Sequence, residues 1–512
     1  MLVGWRRMRN RRELEFKVQL AKGDLAKLSR SLRVKDIDAG QPSRRELRST
    51  YFDTPQRDLH KAGLSLRVRR DANRWIQTLK AEQGVKRGLS NPVELETDVS
   101  GERPNLEAIR DPHYARSLRK IIGKAELEPV FETIVQRTTR RIKASGAEIE
   151  LALDAGEVRA HGARQEICEA EFELKRGSVS GLVTAAEVLL RKQKFDLSTR
   201  SKSERGYELA GARRATNGAA EVPKEIHADL SCGEAFSILL ERAARQIIEN
   251  KQAVLDSDDP RGAHQMRVGL RRLRSVLRAL RHFVDTPLLM KFDAIARDMA
   301  RWLGELRDAD ALISAIHAPV EEAVGEQGGF KELKRTLVQR RQAKQASIRS
   351  LLKSGRWSML QLYLSLWPQV LAEHKALERP LLGSARKVLK QRWKKLRKQG
   401  SKLDELSIEE RHELRKSLKH LRYISEFFAP AFQKEKTTSR FMRRLKELQD
   451  VFGYMNDVNM AGQLKSIAEA TKGATALAAH YIMGWHEAET RHVWMHASHA
   501  WKQLERTPKF WT

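Results

Sequence analysis

Glu13, Glu15 and Lys17 occupy alternate positions in Glu-Leu-Glu-Phe-Lys, with Leu14, Phe16 and Val18 filling the intervening ones. In an extended chain, successive side chains point to opposite faces, so one face of this segment holds two carboxylates and an ammonium while the other is apolar. The same separation recurs at Arg67 and Arg69 (LRVRR), at Thr78 and Lys80 (QTLK), and at Glu94 and Glu96 (VELE). It recurs once more at Glu169, Glu171, Glu173 and Lys175, opposite Ala170, Phe172 and Leu174. On a single strand such alternation ordinarily means a solvated face with cross-strand ion pairs. Here nearly every polar slot of five strands is Glu, Lys or Arg, where surface strands would mix in Thr, Ser and Gln. If the sheet curls with this face inward, the carboxylates suit hard divalent cations, and the guanidinium and ammonium groups suit phosphate oxygens.

A second set of basic residues lies at helical spacing. His264, Arg267, Arg271 and Arg274 fall at relative positions 0, 3, 7 and 10, and His412, Arg415, Lys419 and Arg422 repeat that spacing. At about 100° per residue each set spans an arc of roughly 80°. Leu270, Leu273 and Leu277, or Leu414, Leu418 and Leu421, form the neighbouring apolar stripe that would pack a bundle. HQMRVGLRRLR (264–274) aligns without gaps on HELRKSLKHLR (412–422), and LGELRDAD (303–310) on FGYMNDVN (452–459), at offsets of 148 and 149 residues. The agreement of the offsets makes this a duplicated unit. Asp308 and Asp457 are suited to orienting basic partners or capping helices, and Arg297 and Lys446 add to the basic surface. Metal binding by His264 or His412 is disfavoured, because neither has a His or carboxylate partner four residues on.

Two kinds of element must position these groups. Over about 12–210 the pattern is of short period-two segments bounded by Gly, Pro, Asn and Asp, which predicts antiparallel strands at 13–18, 48–54, 64–70, 74–80, 93–99, 148–156 and 167–175. Helical interruptions are expected near 22–33, 104–122 and 178–193. From about 229 onward, long segments of period 3.6 are separated by breakers such as DSDDPRG (256–262) and GEQGG (325–329), which predicts an all-α half. The expected division is a strand domain over 10–210, a linker at 211–228 where both periods are lost, and a helical domain over 229–512 with repeats at about 229–375 and 376–512.

Composition agrees with this division and narrows the partners. The 512 residues are 41% hydrophobic with only 14 prolines, a globular rather than disordered composition. The net charge is +31, and it divides into roughly +14 before residue 225 and roughly +17 after it, which excludes a mere basic tail. A charge of this size calls for an anionic partner. Two cysteines, Cys168 and Cys232, cannot make a disulfide framework or a thiolate metal site. With no apolar run approaching a membrane span and no signal-like h-region, a soluble cytoplasmic protein without membrane insertion is expected.

The N-terminal motifs carry a family resemblance. E-x-E-x-K (13–17), YFDT (51–54), G-x-x-LRVR (63–69), TLK (78–80), ELE (94–96), LDAG (153–156), E-x-E-x-ELKRG (169–177) and SKSERGY (201–207) resemble, in order, those of a CYTH domain, the triphosphate tunnel metalloenzymes. The resemblance implies an α+β domain built on an eight-stranded antiparallel tunnel barrel that binds a triphosphate with Mg²⁺ or Mn²⁺. By motif it assigns Glu13, Glu15, Glu171 and Glu173 as metal ligands, with Asp154 and Glu169 assisting. It assigns Lys17, Arg67, Arg69, Lys80, Arg137 and Lys175 to the phosphate chain, and Glu94 and Glu96 to orienting cations or water. Arg137 is preferred to Arg140 and Arg141 for its alternation with Val135.

The duplicated H-x-x-R-x-x-x-R/K-x-x-R stripe with the LG-x-x-RD element resembles a CHAD domain. This implies two four-helix bundles related by a pseudo-twofold, with His264, Arg267, Arg271, Arg274, His412, Arg415, Lys419 and Arg422 lining a cavity for inorganic polyphosphate. The implied function is metal-dependent hydrolysis of inorganic triphosphate to pyrophosphate and phosphate, with the helical half delivering substrate or localising the enzyme to polyphosphate granules. A non-catalytic polyphosphate-binding protein, a thiamine triphosphatase and an adenylate cyclase-like enzyme are the alternatives. The last two need an aromatic base-stacking site, and none is found at the assignable tunnel positions. Nucleic acid is disfavoured, because no helix-turn-helix or RNA-reading motif accompanies the charge.

Overall fold

The computed structural model describes residues 14–30, 37–71, 73–81, 88–90, 93–211, 225–325 and 328–512. Two compact units emerge, one comprising 1–222 together with 358–373, the other 223–357 together with 374–512.

The first unit is built on one antiparallel sheet. Its strands are β1 (Glu15–Leu20), β2 (Asp38–Ala39), β3 (Ser43–Asp53), β4 (Leu64–Asp71), β5 (Arg74–Ala81), β6 (Leu89–Ser90), β7 (Val93–Val99), β8 (Glu128–Ala144), β9 (Ala147–Ala160), β10 (Ala163–Arg176) and β11 (Phe195–Leu197). The order is β11-β1-β10-β9-β8-β3-β4-β5-β7, with β2 on β8 and β6 on β1. Among the described residues the ladder therefore does not close, and eleven strands replace the eight expected. The alternation fixes the face of each strand. Phe16, Val18, Leu66, Val68, Leu79, Ala170 and Phe172 are buried in apolar packing, while their charged neighbours face the concave side. Helices α1 (Lys22–Arg30), α2 (Asp58–Lys61), α3 (Pro112–Ile122), α4 (Val179–Leu190) and α5 (Lys202–Leu209) are interspersed with the strands. Leu59, Leu118 and Ile122 of α2 and α3, for example, cluster with Leu66 and Leu79.

The second half is helical: α6 (Cys232–Glu249), α7 (Lys251–Asp256), α8 (Pro260–Leu280), α9 (Pro287–Ala311), α10 (Ala318–Val324), α11 (Gly328–Leu352), α12 (Gly355–Leu371), α13 (Leu381–Gly400), α14 (Ile408–Phe428), α15 (Glu435–Ala461), α16 (Lys465–Ala470), α17 (Ala474–Met495) and α18 (Ala497–Arg506). The duplication is visible in the helices, since α6, α8 and α9 begin 148 or 149 residues before α13, α14 and α15. The predicted apolar stripes are core: Leu270, Leu273, Leu277, Leu414, Leu418 and Leu421 are all fully buried. No helix among the described residues is long and apolar enough to cross a membrane.

One helix departs from the sequence pattern. Most of α12, over 358–373, belongs to the first unit. Its Ser358 hydroxyl bonds both the N–H (2.9 Å) and the C=O (2.6 Å) of Phe195 in β11, and the Tyr363 hydroxyl donates to Glu187 of α4 at 3.0 Å. Just past its end, Glu373 accepts from the Val179 N–H at 2.6 Å, at the first residue of α4. The segment is apolar on nearly all faces, as a helix buried all round must be.

Candidate active site

The concave face of the sheet encloses a cavity of about 530 Å³. Register builds its lining. Glu15 on β1 pairs with Glu173 on β10 and Lys17 with Glu171, while Glu169 stands opposite Asp154 on β9, and Asp154 opposite Arg137 on β8. Across the sheet, Arg67 on β4 faces Thr78 on β5, and Thr78 and Lys80 face Glu96 and Glu94 on β7. Of the predicted residues, Glu15, Lys17, Arg67, Arg69, Lys80, Glu94, Glu96, Arg137, Asp154, Glu171 and Glu173 all line the cavity. Glu169 is buried just behind it, bonded to Arg205 at 2.9 Å. Lys175 pairs with Glu173 but lies beyond the lining. Glu13 is outside the described residues.

One half of the cavity is a compensated ion cluster. Arg137 grips Asp154 through two bonds (2.7 and 2.6 Å) and Glu171 through a third (2.6 Å). Lys17 sits 2.9 Å from Glu15 and 3.2 Å from Glu171. Burial by itself disfavours every charge here, yet Lys17, Lys202 and Arg137 together hold the Glu171 carboxyl well below its ordinary value. The carboxylates in turn hold Lys17 and Arg137 firmly protonated against the same burial. Glu15 is the exception. Desolvation outweighs Lys17, and its pKa is raised.

The opposite wall carries Arg67 and Arg69, whose Nε atoms are buried without a hydrogen-bond partner in the structure. Burial first, and the Arg67 charge second, push the Arg69 guanidinium below its ordinary value. Lys80 bonds Glu94 at 2.6 Å, and Lys80 and Arg67 overcome burial to keep Glu94 ionised. Buried cations with unfilled donors and a like-charged neighbour are relieved by an anion. A cavity lined by several cations fits a small polyanion.

Residues that the sequence left without a role also line this space: Glu150, Ser201, Lys202, Ser203 and Tyr51. Tyr51 is an aromatic at the cavity, but its ring stacks on Phe131 at 4.4 Å between centroids and is 4% exposed, so no open face remains for a base. Lys202 had a signal in SKSERGY, and Glu150 in the alternation of EIELALDAG. Neither could be placed until the register was known.

Two groups of carboxylates could hold a divalent cation, and ammonium groups meet both. Glu15 and Glu173 are cross-strand partners, with Lys17 2.9 Å from Glu15 and Lys175 paired with Glu173. Asp154, Glu169 and Glu171 also converge, with oxygens within 4.8 Å of one another, but Lys202 lies 2.8 Å from all three.

In the helical unit, the two basic stripes meet in part. The Lys419 ammonium feels Arg415 on its own helix, Arg267 and Arg271 on α8, and Arg307 on α9, and burial together with these charges pulls its pKa down to about 8. The Arg271 guanidinium lies over the Tyr423 ring at 5.1 Å. His264 feels Arg267, Arg271 and Arg307, and its pKa is lowered by burial and these charges. Arg274 lies toward Asp293 (3.9 Å), and Arg422 is bonded to Glu426 (2.8 Å) and Gln449 (3.0 Å), so neither joins this cluster. His412 is exposed beside Arg415 and Lys416, and the Asp457 side chain lies outside the described residues. Arg307, in the LGELRDAD element, is the member that spacing alone missed.

The family model of the CYTH domain matches residues 11–207, and that of the CHAD domain matches residues 238–466. The chain carries a CYTH domain followed by a CHAD domain. Among curated relatives, an inorganic triphosphatase of Haemophilus influenzae is 31% identical over 172 residues, which are 33% of this chain and 48% of the relative. The chain thus spans about half the length of that relative. The crystal structure of the CHAD domain from the plant Ricinus communis is 27% identical with a TM-score of 0.50, covering 56% of this chain and 96% of that one.

Proposed function

We propose that the cavity hydrolyses inorganic triphosphate to pyrophosphate and phosphate with the help of Mg²⁺ or Mn²⁺, and that the helical unit binds inorganic polyphosphate. The observation that carries the first part is the half-buried Arg67–Arg69 pair, whose buried Nε donors are unfilled and which lines with Lys17 a cavity of about 530 Å³. Arg67, Arg69 and Lys80 hold the oxygens of the phosphate chain, and Lys17 receives its far end. Glu15 and Glu173, with Glu13 adjacent in the motif, would hold the metal. A bound divalent cation supplies charge neutralisation and lowers the pKa of a coordinated water. Glu94 and Glu96 orient water in line with the bridging bond, which breaks as the new P–O bond forms and leaves pyrophosphate held by the arginines. The 31% identity to an inorganic triphosphatase supports this chemistry. The sequestered Tyr51 ring disfavours nucleoside and thiamine triphosphates.

The polyphosphate reading is supported by the Arg267–Arg271–Arg307–Lys419 cluster of four cations from three helices, in which burial and the neighbouring guanidiniums lower the proton affinity of Lys419 and Arg267. A chain with about one charge per phosphate relieves that repulsion and displaces counterions. The test is phosphate release from tripolyphosphate, long polyphosphate, ATP and thiamine triphosphate with Mg²⁺ or Mn²⁺. Tripolyphosphate is expected to be the preferred substrate, and absence of turnover on it would refute the proposal.

A further inference from the structure

Tyr51 stands where the apolar core meets the cavity. Ser49 and Tyr51 alternate along β3 onto the concave face, and both line the cavity. Register carries one row of residues across the sheet, from Phe131 on β8 through Tyr51 to Arg67 on β4, Thr78 on β5 and Glu96 on β7. The apolar end of that row is fixed by packing. The Tyr51 ring stacks on Phe131 at 4.4 Å, and Tyr207 of α5 meets Phe131 edge-on at 5.1 Å. Gly206 lies so close that a Cβ would stand 2.1 Å from the Phe131 ring. The Tyr207 hydroxyl donates to the fully buried Asp53 at 2.9 Å, and Asp53 also accepts the N–H groups of Thr54, Leu59 and His60. The Tyr51 hydroxyl is therefore held in place before any ligand arrives.

The polar end of the row is left incomplete. The Arg67 guanidinium donates a hydrogen bond to the Tyr51 hydroxyl. A guanidinium has donors only, so the hydroxyl oxygen accepts and keeps its own proton to give. Among the described residues that proton finds no acceptor, and the buried Arg67 Nε is likewise unfilled. Thr78, on the other side of Arg67, is already satisfied, since its hydroxyl donates to Glu96 at 3.3 Å. Accepting from a cation polarises an O–H and makes it a stronger donor, and the acceptor that suits such a donor beside a guanidinium is an anionic oxygen.

We propose that the Tyr51 hydroxyl is a phosphate ligand of the cavity, accepting from Arg67 and donating to a non-bridging oxygen of the phosphate chain that Arg67 holds. This rests on the reading of the cavity as a phosphate site. Hydroxyl and guanidinium grip one phosphate group as a pair, and the packed rings behind them fix where that group sits.

The test is Tyr51→Phe, which keeps the ring and its stack on Phe131 and removes only the hydroxyl. Tripolyphosphate binding is measured by calorimetric titration of the full chain in metal-free buffer, the cavity site being the one that Arg67→Ala weakens. At that site Tyr51→Phe is expected to bind about ten- to a hundredfold more weakly, as the loss of one hydrogen bond to a charged group implies. Tyr207→Phe, which loosens the same ring packing but keeps the Tyr51 hydroxyl, is expected to bind as the wild type does. Unchanged affinity in Tyr51→Phe, or an equal loss in Tyr207→Phe, would overturn the role of Tyr51 and leave the phosphate reading of the cavity standing. Absence of any site that Arg67→Ala weakens would overturn both. Affinity is read without turnover, so a failure of hydrolysis, which refutes the triphosphatase reading, is seen separately.

Discussion

Consider Lys419→Arg, which keeps a charge in the helical cluster but removes its ability to titrate near neutrality. In the wild type the Lys419 pKa is pulled down to about 8, because burial and four guanidinium neighbours disfavour the ammonium. A folded pKa below the unfolded one penalises the folded state wherever the group is charged. The penalty is complete below pH 8, at most about 3 kcal/mol before allowance for partial solvent exposure, and vanishes as the pH rises from 8 to about 10.5. A bound polyanion reverses it by restoring an ordinary or higher pKa. Binding above pH 8 must then take up a proton, and affinity should fall about thirtyfold between pH 7 and 9.5. The assay is calorimetric titration with polyphosphate at constant ionic strength, run at pH 9 in two buffers of different ionisation enthalpy. About 0.9 proton should be taken up per site in the wild type and essentially none in Lys419→Arg. A pH slope that persists unchanged in Lys419→Arg would refute this account. Lys419→Met offers a second check, since it should stabilise the free protein at pH 7 while weakening binding.

Arg67→Ala and Arg69→Ala should each lower kcat/KM for tripolyphosphate by about 10²–10³, as loss of one preorganised electrostatic stabiliser does, and steady-state phosphate release measures it. Polyphosphate affinity in the helical unit should fall steeply with salt, and Arg267→Ala should reduce the slope of log K against log salt by somewhat under one. Gly206→Ala should destabilise the first unit by about 1–3 kcal/mol through overpacking on Phe131, seen as a lower urea midpoint. Glu373→Ala should cost about 1 kcal/mol by removing the acceptor of the first α4 N–H, which the Ser178 cap does not reach, read in the same unfolding experiment.

How much of this was legible in the sequence depends on whether a property is local. The cavity face was, because a period of two assigns Glu15, Lys17, Arg67, Arg69, Glu94 and Glu171 to one side of their strands before any partner strand is known. Arg137 could be preferred to Arg140 and Arg141 for the same reason, and its bonds to Asp154 place it on the cavity. The basic stripes were legible through the duplication, yet spacing could not tell that Arg422 turns to Glu426 while Lys419 enters the cluster, since that depends on how α14 packs on α8. Lys202 was hidden in another way. Its place comes from three carboxylates on two strands and a helix held by Asp53 and Phe131, and no local pattern encodes that meeting. The same holds for α12, whose lack of amphipathic period signals complete burial but not the company in which it is buried.

That helix has a consequence for the order in which the protein is made. Strand β11 and helix α4 leave the ribosome long before residues 358–373, which complete their packing. At a synthesis rate of about 5–20 residues per second, the sheet unit waits on the order of ten to thirty seconds with that surface uncovered. During this interval the nascent chain needs either a chaperone or fast elongation, and synonymous changes that slow translation between 225 and 373 should lower the soluble yield without altering a single residue.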